Sequence, residues 1–492
     1  MTTVSASLVE ACLVIGGERL PAAHGESFPT IDPATGETLS EVARGRAEDV
    51  DLAVEAARRA YKEVWRTTLP VERGRVLAAA SQLLLDRLET LAALESQDTG
   101  KPIRQARVDV RVASRYFEFY AGFADKLFGR SIPLGHRFVD WTVVEPHGVC
   151  GVIIPWNYPL QIAARSVAPA LAAGNAVVLK PAEEAPLTAL ALCELLLDAG
   201  LPAGACNCVT GYGEEAGAAL VAHPDVDHIT FTGSVEVGSL VMEECAKHVR
   251  PLTLELGGKS PHVVCADADL ERALPYIMNS IYQHSGQTCT AGSRLLVERS
   301  AHDRWVTAAT QHAKSLTIGP GFEDADLGPL ISERQRDRVE GYVASARAEG
   351  ASVACGGKRP GDPRLATGTF FEPTVLTDVA PAMRVAREEI FGPVLAAIPF
   401  DDGDLEQAAS IANSTPYGLA AGIWSSNIDK CLWLASEIRA GQIYINTFGA
   451  GGGVELPSGG FAKSGIGREK GLEGILAYTN VKNICAEVSI AE

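Results

Sequence analysis

From Val149 onward the chain alternates two textures, and this alternation restricts the possible folds severely. Short apolar runs of β character stand at Cys150–Ile154, Ala176–Leu179, Asn207–Thr210, His228–Thr232 and Leu252–Leu256. Helical patterns fall between them, at Leu160–Ala172, Leu187–Asp198, Glu214–Ala222 and Val235–Cys245. Strands joined through helices need crossover connections, which predicts a mainly parallel sheet with both faces covered. A second block repeats the texture. Strands are expected at Arg294–Val297, Val394–Pro399, Ala421–Trp424 and Gln442–Asn446. Helices are expected at Ala268–Gln283, His302–Ser315, Glu333–Glu349, Leu405–Ala412 and Ile428–Arg439. Two α/β halves therefore meet near Leu256–Pro261.

The part before this block is helical in pattern. Val50, Val54, Ala57, Tyr61 and Trp65 recur at helical spacing, and Val71–Ser96 continues until Thr99-Gly100-Lys101-Pro102 stops it. At 492 residues the chain has room for about three domains of ~150 residues. Its 43 basic and 61 acidic side chains leave a net charge of −18, which argues against a nucleic-acid or anionic-membrane surface. Eleven cysteines show no framework spacing, and Cys206-x-Cys208 is the only close pair. No set of four zinc ligands is visible, so no metal is expected and the thiols are read as reduced. Met1–Leu20 lacks the basic and apolar regions of a signal peptide. The uncharged span Pro146–Ala164 holds Pro155, Asn157 and Pro159, unlike a membrane helix. A cytoplasmic protein is expected. Gly449–Gly460, with Gly451-Gly452-Gly453, reads as a surface loop and not as a phosphate-binding turn of the GxxxxGK[ST] type.

Several residues could carry chemistry. Cys289, in Ser285-Gly286-Gln287-Thr288-Cys289, follows a helix among small and polar neighbours, where a thiolate could be held. A buried structural thiol is the alternative, and His284 raises the separate idea of a Cys/His hydrolase. Glu255 is a carboxylate in an otherwise apolar strand, followed by Gly257-Gly258. Burial would raise its pKa and suit it to act as a base, while pairing with Lys259 would make it structural. Asn157, between a strand and a helix, could donate to an oxyanion or cap the helix. Gly233-Ser234 opens a helix after a strand, a seat for an anion. Lys180 and Glu183 end a strand at the edge where parallel sheets bind nucleotides.

In their order along the chain these segments resemble the aldehyde dehydrogenase superfamily. The resemblance rests on Pro155-Trp156-Asn157-Tyr158-Pro159, Lys180-Pro181-Ala182-Glu183, Phe231-Thr232-Gly233-Ser234 and Glu255-Leu256-Gly257-Gly258-Lys259-Ser260-Pro261. It continues through Gly286-Gln287-Thr288-Cys289, Glu388-Glu389-Ile390-Phe391-Gly392-Pro393, Asn413-Ser414-Thr415-Pro416-Tyr417-Gly418-Leu419 and Lys463-Ser464-Gly465-Ile466-Gly467-Arg468-Glu469. Essentially the whole chain is covered.

The resemblance implies oxidation of a small-molecule aldehyde to the acid with NAD. Cys289 would be the nucleophile, Asn157 the oxyanion donor and Glu255 the base that activates water. Trp156, Lys180, Glu183, Gly233, Ser234, Glu389 and Phe391 would contact the cofactor, and a carboxylate at Glu183 favours NAD over NADP. It also implies a doubly wound Rossmann-like cofactor domain (1–124 and 146–255), an α/β catalytic domain (256–445) and oligomerisation strands (125–145 and 476–492). A homodimer or homotetramer is expected. Two rivals are a CoA-acylating relative and a non-catalytic binding or structural protein on the same fold. Tyr158, Arg165, Gln283 and Ser458 would line the substrate pocket. Arg165 stands where succinate-semialdehyde relatives hold a carboxylate with Arg; the alternative is an Arg paired with a carboxylate of the protein itself. Gln283 and Ser458 replace larger or aromatic residues, suggesting a roomy and polar pocket.

Overall fold

The computed structural model describes residues 12–449 and 453–488. The first eleven residues of the N-terminal segment, residues 450–452 of the glycine-rich loop and the last four residues of the 476–492 segment lie outside the described residues. Among the described residues no helix is long and apolar enough to cross a membrane.

Two large sheets organise the molecule, as the alternation requires. The first has eight strands. Its parallel part runs Leu252–Glu255, His228–Thr232, Val149–Ile154, Ala176–Pro181 and Cys206–Cys208. Antiparallel strands close both sides: Gly465–Ile466 beyond Leu252–Glu255, and the Leu13–Ile15 and Glu18–Leu20 pair beyond Cys206–Cys208. Every residue of Ala176–Pro181 and of His228–Thr232 is buried, as expected for strands with helices on both faces. The helices Pro70–Asp86, Ile103–Ala121 and Pro159–Ala173 build one such layer, with Trp65 Nε1 donating to the Leu171 carbonyl at its centre.

The second sheet has seven strands, in the order Ser352–Cys355, Thr374–Thr377, Val394–Phe400, Arg294–Glu298, Pro261–Val264, Ala420–Trp424 and Gln442–Ile445. All its pairings are parallel except that of Ser352–Cys355 with Thr374–Thr377. A third, three-stranded sheet pairs Phe138–Pro146 with Thr479–Glu487 over nine residues, and Ser131–Ile132 lies beside the first.

Several elements differ from the sequence expectation. Pro261–Val264 is a central strand that the pattern missed, because it is only four residues long and begins with a proline. A proline is tolerated there, since the first residue of a strand can do without its N–H. The Val71–Ser96 stretch is two helices, Pro70–Asp86 and Leu88–Thr99, broken at Arg87. The Glu214–Ala222 pattern begins as a wide π turn at Gly213–Gly217 and becomes α-helical only at Ala218–Ala222. The chain after residue 445, which the sequence left outside both halves, returns to the first sheet through Gly465–Ile466.

Candidate active site

The strands of the first sheet end at one cleft of about 780 Å³. Val149–Ile154 delivers Trp156 and Asn157 to it, His228–Thr232 delivers Gly233 and Ser234, and Leu252–Glu255 ends on the buried Glu255. From the second half come Cys289, Glu389 and Phe391. Tyr158, Arg165, Gln283 and Ser458 line it as well. Twelve of the fourteen residues singled out from sequence thus share one cleft. Lys180 and Glu183 are not part of its lining. They pair with each other (Nζ to Oε2, 3.2 Å) at the carboxyl end of Ala176–Pro181.

Cys289 is partly exposed on the cleft wall, in a loop stiffened by Gln287. The fully buried Gln287 side chain donates to the His284 carbonyl (3.2 Å) and accepts from the Ile331 N–H (2.9 Å). Asn157 Nδ2 gives one hydrogen to the Gln287 carbonyl at 2.9 Å, which leaves its second hydrogen free. The Cys289 backbone N–H donates to no backbone carbonyl among the described residues. Burial, and next the carboxylate of Glu255, push the Cys289 thiol up to about 11. His284 is buried with its ring edge-on to Tyr158, and neither ring nitrogen has a partner among the described residues. Without a hydrogen bond from His284 to Cys289, the Cys/His hydrolase idea has no geometry.

Glu255 is held by its neighbours' backbones. Its carbonyl accepts the Gly233 N–H at 3.0 Å, and it lies in register with Thr232 on one side and Gly465 on the other. Gly465 has φ +144, and a Cβ there would come within 2.1 Å of the Leu254 carbonyl oxygen, so only glycine lets this strand approach. Glu255 Oε1 has no hydrogen-bond partner among the described residues. Burial raises the carboxyl to about 7, against the pull of the Arg165 guanidinium. Lys259, the partner considered from sequence, is not paired with it; its buried Nζ has no hydrogen bond among the described residues.

Arg165 lines the cleft and is paired with a carboxylate of the protein, the second of its two readings. Its Nε forms an ion pair with Glu469, and its Nη2 donates to Thr232 Oγ1 at 2.8 Å. Ser166 Oγ adds a 2.9 Å hydrogen bond to Glu469. The Arg165 side chain is only 9% exposed and its guanidinium already committed, so it is a poor clamp for a substrate carboxylate. Glu469 and Thr232 had no role in the sequence reading. Their only signal was membership of motifs quoted for other reasons.

A buried charge cluster props the nucleophile loop from behind. Lys101 Nζ donates to Glu95 (3.0 Å) and Asp109 (2.6 Å) and lies 4.3 Å from the Tyr158 ring centroid. Burial pulls the lysine down, but the two carboxylates outweigh it and hold it charged. Tyr158 in turn shares a 2.9 Å hydroxyl contact with Thr288, next to Cys289.

At the other end of the cleft, Phe391 meets Trp156 edge-on at 5.3 Å. Glu389 Oε1 accepts the Gly258 N–H at 2.9 Å, and a Cβ on Gly257 would fall within 2.4 Å of the same carboxylate. Ser234 caps the thirteen-residue helix Val235–Lys247, accepting from the Val237 N–H at 3.2 Å. The cleft therefore joins a helix N-terminus suited to phosphate, an aromatic wall and a carboxylate suited to ribose hydroxyls. That set fits a dinucleotide. Among the described residues no cluster of side chains could hold a metal ion.

The family model described as "Aldehyde dehydrogenase family" matches residues 20–484. Betaine aldehyde dehydrogenase of Bacillus subtilis (strain 168) is 42% identical over 475 residues, covering 96% of each chain. Among solved aldehyde dehydrogenase structures, one from Burkholderia cenocepacia is 50% identical, with TM-score 0.95 over 97% of this chain and 100% of that one. The NAD+ complex of aldehyde dehydrogenase from Bacillus cereus is 38% identical, with TM-score 0.95 over 99% of each chain.

Proposed function

The chain belongs to the aldehyde dehydrogenase family, and on that premise we propose how its own residues oxidise an aldehyde to the carboxylic acid with NAD. Cys289 attacks the aldehyde carbon as thiolate, forming a thiohemiacetal. The free hydrogen of Asn157 Nδ2 and the Cys289 N–H stabilise the oxyanion. NAD, when bound, supplies the acceptor for the hydride from that carbon. Once the carbon is oxidised, it is a thioester on Cys289. Glu255 takes a proton from water, the water oxygen bonds to the carbonyl carbon, and the C–S bond breaks to release the acid. A carboxyl near 7 is well matched to that step at neutral pH.

One observation carries this reading: a raised carboxylate and a half-used amide share the cleft with an accessible thiol. Glu255 also favours hydrolysis over transfer of the acyl group to CoA. For the cofactor, Ser234 and the helix it caps would hold the pyrophosphate, and Glu389, Phe391 and Trp156 the nicotinamide riboside. Lys180 and Glu183 would lie at the adenine ribose, where Glu183 disfavours a 2′-phosphate. The segments 1–124 and 146–255 serve as the cofactor domain and 256–445 as the catalytic domain. The apolar Phe138, Val139, Trp141 and Val481, exposed on the three-stranded sheet, support pairing with a second copy in a dimer or tetramer. Cys193 and Cys206, whose sulfurs lie 3.4 Å apart as thiols, support a reducing, cytoplasmic setting.

The direct experiment mixes enzyme, aldehyde and NAD, following NADH and acid product without CoA. Cys289→Ala should fold and form neither product. A Cys289→Ala enzyme with more than a few per cent of the wild-type rate would overturn the mechanism.

A further inference from the structure

With Arg165 committed to Glu469, the cleft holds another cation, one without an ion pair among the described residues. Lys470 lines the cleft and is half-buried. Its ammonium makes no ion pair or hydrogen bond among the described residues. The other charges around it are accounted for. Asp109 is bound by Lys101, and Arg338 donates to the carbonyls of Glu389 and Ile390 at the cofactor end. Glu389 accepts from Gly258, and Glu255 sits near 7 and so shares its time between charged and neutral forms.

The backbone aims Lys470 deliberately. Its φ of 60° and ψ of 172° fall in a region essentially reserved for glycine, where strain persists only if the surroundings impose it. They do. On one side Glu469 exchanges two 2.7 Å hydrogen bonds with Ser458, and on the other the Gly471 N–H is tied to the Val454 carbonyl. Two hydroxyls of the same cleft make no side-chain hydrogen bond among the described residues. Ser458 is 6% exposed and lines the cleft, and Tyr444 lines it within the electrostatic reach of Lys470. Lys470 also bears electrostatically on both Glu255 and Cys289, so this wall is near the reacting carbon.

Resting on the aldehyde-oxidation reading above, we propose that Lys470, with Ser458 and Tyr444, forms a subsite for a carboxylate carried by the substrate at the end away from its aldehyde. One ammonium and two hydroxyl donors match a monoanion. A phosphate dianion would leave a charge unpaired beside Glu255. The preferred substrates are short aldehydes that end in a carboxylate.

The test compares succinic and glutaric semialdehydes with butanal and pentanal, at saturating NAD, in wild type, Lys470→Met and Lys470→Arg. Wild type should favour the acids, and Lys470→Met should cut the acid-to-alkyl ratio of kcat/KM about tenfold or more, mainly through KM. Lys470→Arg should restore most of the ratio. In parallel, glutarate should raise the thermal midpoint of wild type and of Lys470→Arg but not of Lys470→Met. That binding result supports the subsite even if no aldehyde is oxidised, an outcome that would refute the oxidation reading separately. A wild type with no preference for the acids, or a ratio unmoved in Lys470→Met, overturns the subsite.

Discussion

Replacing Arg165 by Met separates two roles that one guanidinium could play. The structure ties it to Glu469 and to Thr232, whose register partner is Glu255, so the change should act on the base and on stability. Deleting one partner of a buried ion pair costs about 3–5 kcal/mol, because the other charge is left dry and unpaired. Arg165→Met should therefore lower the thermal midpoint at neutral pH. The loss should shrink in acid, where an unpaired carboxylate takes up a proton. Arg165→Met/Glu469→Gln should recover much of it. For Glu255 the sign is equally definite. The guanidinium lowers its pKa from above, so removing it raises a carboxyl already near 7. Adjacent strands are about 4.8 Å apart, and at ~6 Å with an effective dielectric of ~20 the pair interaction is about 2.8 kcal/mol, or about two pH units. The ascending limb of the deacylation rate should move to higher pH by one to two units (about that interaction, less whatever the site relaxes). Single-turnover hydrolysis of an acyl-enzyme across pH reads this directly. If Arg165→Met keeps the wild-type midpoint and pH profile but loses only acidic aldehydes, Arg165 faces substrate and the argument from its ion pair is wrong.

Glu255→Gln should leave acylation largely intact and stall hydrolysis, giving an NADH burst followed by slow turnover; an unchanged steady state would remove Glu255 as the base. Glu183→Gln should narrow the preference for NAD over NADP in kcat/KM, and a wild-type preference for NADP would withdraw Glu183 from that role. With the Cys289 thiol pushed up to about 11, iodoacetamide alkylation of the cofactor-free enzyme should accelerate about tenfold per pH unit between about 7 and 10. Mass spectrometry on the Cys289 peptide measures it, and a flat profile would mean that the thiolate is already formed at neutral pH.

The legibility of this chain follows from how local each signal is. The five parallel strands of the first sheet are written in largely apolar runs between helical patterns, so their places along the chain and their parallel character follow from the residues themselves, while their order across the sheet does not. Glu255 was conspicuous for the same reason, as a charge in such a run. Pro261–Val264 was invisible because its strand identity comes from Arg294–Glu298 and Ala420–Trp424 on either side and not from its own four residues. For Arg165 the residues allow either a substrate contact or a pairing with a carboxylate, and nothing near it says which carboxylate. Its neighbour Ser166 and the shared carboxylate of Glu469 are 303 positions apart. The cation left facing the cleft, Lys470, owes its direction to a backbone angle that no residue pattern encodes.

The short Gly465–Ile466 strand also imposes an order of assembly. Glu255 sits on a strand whose outer side stays unpaired until that segment arrives, and 465 − 255 puts 210 residues of synthesis between them. At ~5–20 residues per second, a ribosome needs about 10–40 seconds to supply the missing neighbour. Throughout that interval the nascent chain carries an open sheet edge, the kind that recruits strands from other chains. It also lacks Glu469, and with it the partner of the Arg165 guanidinium beside its base. On the proposed mechanism, chemistry must wait until Glu469 has been made. A chain cut just before Gly465 would keep Cys289, Asn157, Glu255 and Glu389 and should still be a poor catalyst, one whose greatest hazard is aggregation at the side of the sheet where the proposed base stands.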